Sequence, residues 1–294
     1  MVSDPEGLNE TIEDVDTSTE KYIGEHYRTH RIVALLLSAF WIAGWIIWMV
    51  ERGFMVERGF SEGIIFALLL PVFILSALYG AVKTKMSKAF LRQFAARVGY
   101  SYQDTAELGN RAGFPFNIGH DNSLEDFISG QYQGYPVNLF IYSYETGSGK
   151  EKVEHIYTVF EITYNLTLPH LFLKKKHENF GESIFGFFKN EKQISLEGDF
   201  DKYFTLLAPQ GFQLEALQIF TPDFMLKMRD QWKGYNLEFV GNRIYIYRDC
   251  RIDRKKELHN MYDLVQHLIT AIGPVFTRMQ KSVLATGAYY KNQL

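Results

Sequence analysis

The sequence predicts an α+β protein in which an N-terminal two-helix transmembrane hairpin precedes a largely antiparallel sheet domain with helices. Two long uncharged runs, residues 32–50 and 63–82, predict the hairpin. Beyond residue 125, short runs rich in Ile, Val, Phe and Tyr are separated by turn residues, and helical patterns follow. Strands followed by helices with short turns are typical of an α+β fold.

Composition excludes some classes of protein. The 294 residues carry a net charge of −3, so no overall attraction to a polyanion is expected. The single cysteine, Cys250, excludes an internal disulfide and fits a reducing compartment. Residues 1–30 are acidic and poor in apolar side chains, and we expect them to be disordered.

The two apolar runs are long enough to cross a bilayer. They hold nineteen and twenty residues without a charge, and at 1.5 Å per residue each spans about 30 Å. A signal peptide does not fit the first run, because a polar segment of thirty residues precedes it. Neither run contains an ionisable residue, which argues against an ion pathway within the hairpin. Residues 31–82 are therefore predicted to be a membrane hairpin.

Basic residues predict the orientation of this hairpin. The segment after the second run is the most basic flank, and its members are Lys83, Lys85, Lys88, Arg92 and Arg97. Cytoplasmic flanks of membrane helices carry the excess of Lys and Arg. The protein is therefore expected in the inner membrane with both termini in the cytoplasm. The same five residues are predicted to contact the membrane surface.

The loop between the runs contains the unit VERGF twice, separated by Met55. Its phenylalanines, Phe54 and Phe60, and the preceding Trp48 are predicted to anchor the hairpin at the membrane interface. The role of the repeat itself stays open, since a short duplication explains it as well as a ligand-binding loop does.

Residues 83–99 form the predicted bridge into residues 100–294, the soluble domain. Met86, Phe90, Phe94 and Val98 recur every four residues, which indicates an amphipathic helix. Its basic residues could lie against anionic headgroups, and its apolar residues could equally begin the soluble core.

The soluble domain begins with a predicted loop over 103–123. Predicted strands follow at 126–133, 136–144, 154–164 and 168–173, with turns at Gly134 and at residues 146–150.

Helical patterns then occupy residues 199–208, 213–219 and 222–232. A second hairpin is predicted to turn at Gly241-Asn242. A closing helix covers 255–280.

Few residues suggest chemistry. The segment Thr146–Lys150, TGSGK, lacks the first glycine and the following Ser or Thr of a phosphate-binding loop, and it is predicted to be a hairpin turn. The histidines show no metal-binding spacing, and His155 is expected to be structural. His120 and Asp121 could form an acid–base pair or bind a cation. Capping of a short helix by Asn122 or Ser123 explains the same segment.

Two basic clusters remain, at Lys174–Lys176 and around Arg251 with residues 254–256. Neither is interleaved with the aromatic residues of a nucleic-acid platform. Both are expected to be solvated faces, and no nucleic-acid partner is predicted. No cofactor or metal is predicted either.

Residues 115–250 carry a likeness to a known family. Asp126, Ile128, Gly130, Gly134 and Val137 form one shared stretch. Others are LPHLFL at 168–173, the run DFDKYFTLLAP with LQIFTPDFM, and GNRIYIY at 241–247. On these motifs the sequence resembles an uncharacterised bacterial family of two-pass membrane proteins with a C-terminal cytoplasmic domain of unknown function. The resemblance implies this architecture and no active site.

The sequence therefore favours a non-catalytic binding or scaffold module anchored in the membrane, with the lipid bilayer and a protein or membrane complex as partners. Two alternatives stay open. The first is a membrane-tethered enzyme with a cytoplasmic site, for which His120 and Asp121 are weak catalytic candidates. The second is a subunit of an oligomeric transport complex.

Overall fold

A computed structural model describes residues 84–176, 191–196, 198–210, 212–276 and 278, together with isolated positions nearer the N-terminus. The chain divides into two compact units. One consists of residues 16–90, and the other contains the sheet. Within the described part of the chain, no helix combines the length and apolar character needed to cross a membrane. The predicted hairpin, residues 32–50 and 63–82, lies outside the described residues apart from isolated positions.

The predicted bridging helix is present as α1, over residues 84–98. Leu91, Phe94, Ala95 and Val98 are buried along one side of it, which is the helical spacing that the sequence predicts. The ring of Phe94 lies 5.7 Å from that of Tyr262 in a later helix. The apolar side of α1 therefore packs into the domain core through Phe94.

A large antiparallel sheet dominates the fold, as predicted. Its strands are β1 (Ser101–Thr105), β2 (His120–Tyr132), β3 (Tyr135–Thr146), β4 (Val153–Lys175), β5 (Glu191–Ile194), β6 (Phe204–Pro209) and β7 (Asn236–Arg248). Their order is β1-β2-β3-β4-β6-β5, and β7 pairs along β4. Every pairing is antiparallel.

Strand β4 joins what the sequence predicted as two strands. It runs for 23 residues, and its register against β7 shifts between Thr163 and Leu168 and again before Leu171. Pro169, which has no N–H to donate, lies in this irregular stretch. The interruption in the sequence pattern is therefore a stretch of irregular pairing, and the strand continues through it.

The predicted hairpin at Gly241-Asn242 is wrong, because β7 passes through these residues without reversing. Ile244 pairs with Ile162 on one side of them, and Phe239 pairs with Leu171 on the other. Gly241 adopts φ +59°, a left-handed conformation that suits glycine. Gly241 thus lies in β7 beside the irregular stretch of β4.

The predicted helix at 199–208 is also wrong. A short 3₁₀ helix, Phe200–Lys202, is followed by β6. In β6, Phe204, Leu206 and Ala208 are buried and alternate with half-buried residues, so the period is two, as in a strand.

The remaining predicted helices are present. They are α2 (Gln213–Ile219), α3 (Pro222–Asp230) and α4 (Lys255–His267). Thr221 caps α3 by accepting the N–H of Phe224 at 3.4 Å, and Pro222 takes the first helical position. Beyond α4, the chain continues as a π-helical stretch, Leu268–Ile272.

The predicted loop 103–123 is shorter in the structure. Residues 106–119, here called the covering loop, connect β1 to β2 and include a 3₁₀ helix, Phe114–Asn117. The loop packs on the front face of the sheet, where the ring of Phe116 contacts Tyr142 of β3 and Tyr245 of β7 at 4.9 and 5.1 Å. Phe114 packs on Phe172 of β4.

Helix α4 packs on the back face. Tyr262 of α4 contacts Phe160 of β4 at 5.0 Å and Tyr132 of β2 at 5.5 Å. Between β7 and α4 the chain is tied to β4 by Thr158, whose hydroxyl donates to the carbonyl of Cys250 at 2.6 Å and accepts the N–H of Ile252 at 3.0 Å.

Two buried carboxylates hold the covering loop. Arg111 Nε of the loop donates to Glu161 Oε2 at 2.7 Å, and Asn138 Nδ2 donates to Oε1 at 2.8 Å. The backbone N–H of Phe114 donates to Glu238 Oε2 at 2.8 Å. Glu161 and Glu238 are 2% and 0% exposed. A buried charge is stable only when paired and hydrogen-bonded. The loop therefore completes the bonding of two carboxylates that also bond to Asn138, His170 and Tyr247 of the sheet.

Substitution Glu161→Gln tests this role. The NH₂ group of a glutamine would face the donor group of either Arg111 or Asn138, so one of the two hydrogen bonds would be lost. Arg111 would also lose its counter-charge. We expect the free energy of unfolding to fall by about 3 kcal/mol and the amides of residues 106–119 to exchange hydrogen faster. Urea unfolding and hydrogen exchange of the full chain in detergent measure both effects. Glu154→Gln, at an exposed position of the same strand, is the control. Unchanged exchange in the loop would contradict this account.

Candidate functional site

His120 and Asp121 begin β2, so the predicted helix cap at Asn122 or Ser123 is wrong. The hydroxyl of Ser123 instead bonds to that of Ser143 on β3, 2.8 Å away. Asp126, a few residues further along β2, is a fully buried strand residue. It accepts a hydrogen bond from the hydroxyl of Tyr102 at 2.6 Å.

A bulge brings His120 and Asp121 together. His120 pairs with Glu145 and Ser123 with Ser143, so three steps along β2 match two along β3. Asp121, at the bulge, has φ +50°. Adjacent residues of a regular strand point to opposite faces, whereas a bulge can redirect one of them. His120, Asp121 and Glu145 consequently offer ligand atoms that lie within 4.8 Å of one another.

These three residues and Lys152 form the rim cluster. It lies where β2 begins, β3 ends and β4 begins. His120 Nδ1 lies 2.9 Å from Asp121 Oδ2, and His120 Nε2 lies 2.9 Å from the carbonyl oxygen of Gly147. Lys152 Nζ donates to Glu145 Oε2 at 2.5 Å and approaches Asp121 Oδ2 at 3.4 Å. Both carboxylates thus share one ammonium group.

The rim cluster shifts the acidities of its own members. Hydrogen bonding to the Gly147 carbonyl, and then to Asp121, raises the pKa of His120 above its ordinary value. Hydrogen bonds from His120 and Lys152 lower the pKa of Asp121. The Glu145 carboxylate raises the pKa of Lys152. The side chains of His120 and Asp121 are 45% and 66% exposed, so water screens these interactions.

Glu145 and Lys152 were not predicted as members of a site. Glu145 directly follows the predicted strand 136–144, Lys152 follows the predicted turn, and neither belongs to a spacing motif. The available signal was the register of β2 against β3, which places His120 opposite Glu145. A bulge hides that register from the sequence, because it breaks the alternation by which strands are aligned.

The basic residues predicted to contact a membrane surface lie along α1. Lys85, Arg92 and Arg97 are exposed and Lys88 is half-buried. The guanidinium of Arg92 lies 5.4 Å from the centre of the Tyr102 ring.

The remaining predicted membrane contacts, Lys83, Trp48, Phe54 and Phe60, lie outside the described residues.

Arg251 corrects the prediction of a solvated basic face. Its guanidinium bonds to Glu125 Oε2 at 2.7 Å and Asp126 Oδ2 at 3.3 Å, and its side chain is 12% exposed. In the other basic cluster, Lys175 forms an ion pair with Asp249 at 3.1 Å. These ion pairs hold the segment that follows β7 against β2 and β4.

Two predictions about the β3–β4 connection are confirmed. The TGSGK segment is the turn between these strands and contains a 3₁₀ helix, Gly149–Glu151. His155 is structural, since its Nε2 lies 2.8 Å from the hydroxyl of Thr146 and its ring stacks on Tyr144 at 4.8 Å.

No protein-family model and no curated protein matches the sequence. Among solved structures, the chain is similar to the crystal structure of the mycobacterial trehalose monomycolate transport factor A, TtfA. The two are 12% identical, the match covers 63% of this chain and 94% of that one, and the TM-score is 0.46. This likeness is too slight to carry an argument about function.

The electrostatics of the rim cluster predict a pH dependence. Because the pKa of His120 is raised, its bonds stabilise the fold below about pH 6.5 and are lost as the pH rises through the folded-state pKa. Because the pKa of Asp121 is lowered, its contribution is present above about pH 4 and is lost in stronger acid.

NMR titration of the His120 ring should give a midpoint above 6.5. Asp121→Asn should lower that midpoint only partly, because the Gly147 carbonyl remains. Asp230→Asn on α3 is the control and should leave the midpoint unchanged. A wild-type midpoint at or below 6.5 would show that these contacts do not form in solution.

Proposed function

We propose that this chain is a two-pass protein of the cell membrane whose sheet domain lies at the cytoplasmic surface and binds a protein partner without catalysing a reaction. The observation that carries the proposal is the distribution of charge around α1. At about 100° per residue, Lys85, Lys88 and Arg92 fall within an arc of roughly 60°. We call these three residues the basic stripe.

The apolar side of α1 is not available to lipid. Leu91, Phe94 and Val98 are buried on that side, and Phe94 contacts Tyr262. A helix that uses its apolar side in the domain core can meet a bilayer only through its other side. There the basic stripe would face anionic headgroups, an attraction worth about 1 kcal/mol per basic residue.

The sequence before α1 supports the same placement. The second uncharged run ends at residue 82, and the continuously described part of α1 begins at residue 84. A chain leaving the hydrocarbon there would place the basic stripe within its first turns outside. The excess of Lys and Arg after this run favours the cytoplasmic side.

A binding role fits the exposed parts of the domain better than catalysis does. The front face is covered by the covering loop and the back face by α4. Large apolar side chains are exposed elsewhere, at Leu214 and Leu217 of α2 and Leu226 of α3, where Leu214 is 74% exposed. These leucines lie on helices that are consecutive in the chain, and we take them as the surface that would contact a protein partner. The residues first considered for catalysis, His120 and Asp121, lie on an open rim.

Membrane topology is the first test of this proposal. In a Cys250→Ser background, a single cysteine is placed at Ser61, between the apolar runs, or at Ser148, in the exposed β3–β4 turn. A membrane-impermeant maleimide applied to intact cells should label position 61 and leave position 148 unlabelled until lysis. Labelling of position 148 in intact cells would overturn the cytoplasmic placement.

A second test concerns the basic stripe. A nitroxide at Ala96, which is exposed and lies beside the stripe's arc, reports contact with the bilayer in nanodiscs that hold the full chain. Its accessibility to a water-soluble nickel relaxant should be lower with phosphatidylserine than with phosphatidylcholine. Reversing Lys85 and Arg92 to Glu should abolish the difference, since about 2 kcal/mol of attraction is removed.

The control for this test is reversal of Lys255 and Lys256 to Glu, which changes the net charge equally at the start of α4. A lipid difference that survives reversal of the basic stripe, or disappears equally in the control, would contradict the proposed contact.

A further inference from the structure

We propose that the rim cluster binds one divalent transition-metal ion through His120 Nδ1 and the carboxylates of Asp121 and Glu145. The ligand atoms of these three residues lie within 4.8 Å of one another. An ion about 2.1 Å from each ligand would need separations of roughly 3–4 Å. Small side-chain rotations on an exposed rim achieve this.

The orientation of His120 is already that of a metal ligand. A carbonyl oxygen only accepts hydrogen bonds, so the 2.9 Å contact between Nε2 and the Gly147 carbonyl requires the hydrogen on Nε2. The other nitrogen, Nδ1, lies 2.9 Å from Asp121 Oδ2, which also only accepts, so Nδ1–H donates there and must lose its proton when an ion binds. Metal-binding histidines usually donate their second ring N–H to a carbonyl or carboxylate in this way, which fixes the ring.

The three ligands come from two strands and depend on the bulge in β2. His120 and Glu145 are cross-strand partners. Asp121, the next residue, reaches the same ion-sized space because its backbone departs from the regular strand at φ +50°. The same pairing places the ligands at the ends of two paired strands. This backbone support limits the free-energy cost of arranging them around an ion.

Lys152 is the competitor for this space. Its ammonium bonds to Glu145 at 2.5 Å and lies 3.4 Å from Asp121, so one positive charge faces two carboxylates. A divalent ion would balance both carboxylate charges and would displace the ammonium group, whose side chain is 46% exposed and free to rotate into water. Removal of the ammonium should therefore strengthen metal binding.

The ligand set indicates the class of metal. One imidazole nitrogen with two carboxylates suits Zn²⁺ or Mn²⁺. Ca²⁺ and Mg²⁺ prefer oxygen ligands alone and should bind more weakly.

Calorimetric titration of the full chain in detergent, with ZnCl₂ and separately with MnCl₂, tests the proposal. The protein carries no polyhistidine tag, and Cys250→Ser removes the thiol as a competing ligand. We expect saturable binding of one ion per chain. His120→Ala and Glu145→Gln should each weaken binding at least about tenfold. His155→Gln, on the adjacent strand and bonded to Thr146, is the matched control and should bind as the parent does.

Lys152→Met separates a metal site from a fold that is merely disturbed. A variant that unfolds loses binding, whereas removal of the competing ammonium should tighten binding several-fold. The proposal is overturned by absence of saturable binding in the parent. It is equally overturned if His120→Ala binds as the parent does, or if Lys152→Met binds no more tightly.

Discussion

The fold depends on two carboxylates buried on the front face of the sheet. Glu161 of β4 and Glu238 of β7 lie where apolar residues would ordinarily pack. The sheet supplies some of their hydrogen bonds, from Asn138 to Glu161 and from His170 and Tyr247 to Glu238, and the covering loop supplies the remaining donors. Arg111 and the N–H of Phe114 provide them from the covering loop. Because an uncompensated buried charge costs several kcal/mol, the loop is fixed to the sheet, and Phe116 is fixed with it among the aromatic rings of β3 and β7.

This constraint determines where the domain can interact with other molecules. The covering loop closes the front face and α4 lies on the back face, so the exposed polar and apolar groups are left at the periphery. They are the basic stripe on α1, the leucines of α2 and α3, and the rim cluster. A module with a closed sheet and several distinct peripheral surfaces is suited to holding partners near a membrane, which is the role we propose.

The sequence predicted the strands and helices best where one pattern continued without interruption. The β2–β3–β4 meander follows from alternation and glycine turns, and α4 from its apolar stripe. Errors arose where tertiary pairing overrode a local signal. Gly241-Asn242 has the composition of a turn, yet β4 pairs with β7 on both sides of it. Residues 199–208 were predicted to be a helix, although the alternation of buried and half-buried residues over 204–209 is that of a strand.

The candidate site was the least predictable feature, and the bulges of β2 explain why. Asp121 and Asp126 both have φ +50° at shifts in register. The same kind of backbone irregularity therefore positions both carboxylates. Asp126 is buried and committed to Tyr102 and Arg251. Asp121 is exposed, and its partners His120 and Lys152 are side chains that can move. A carboxylate enclosed by the protein stabilises the fold, whereas one held by exchangeable partners at the surface can accept a ligand. The difference in burial gives Asp126 a structural role and supports the binding role that we propose for Asp121.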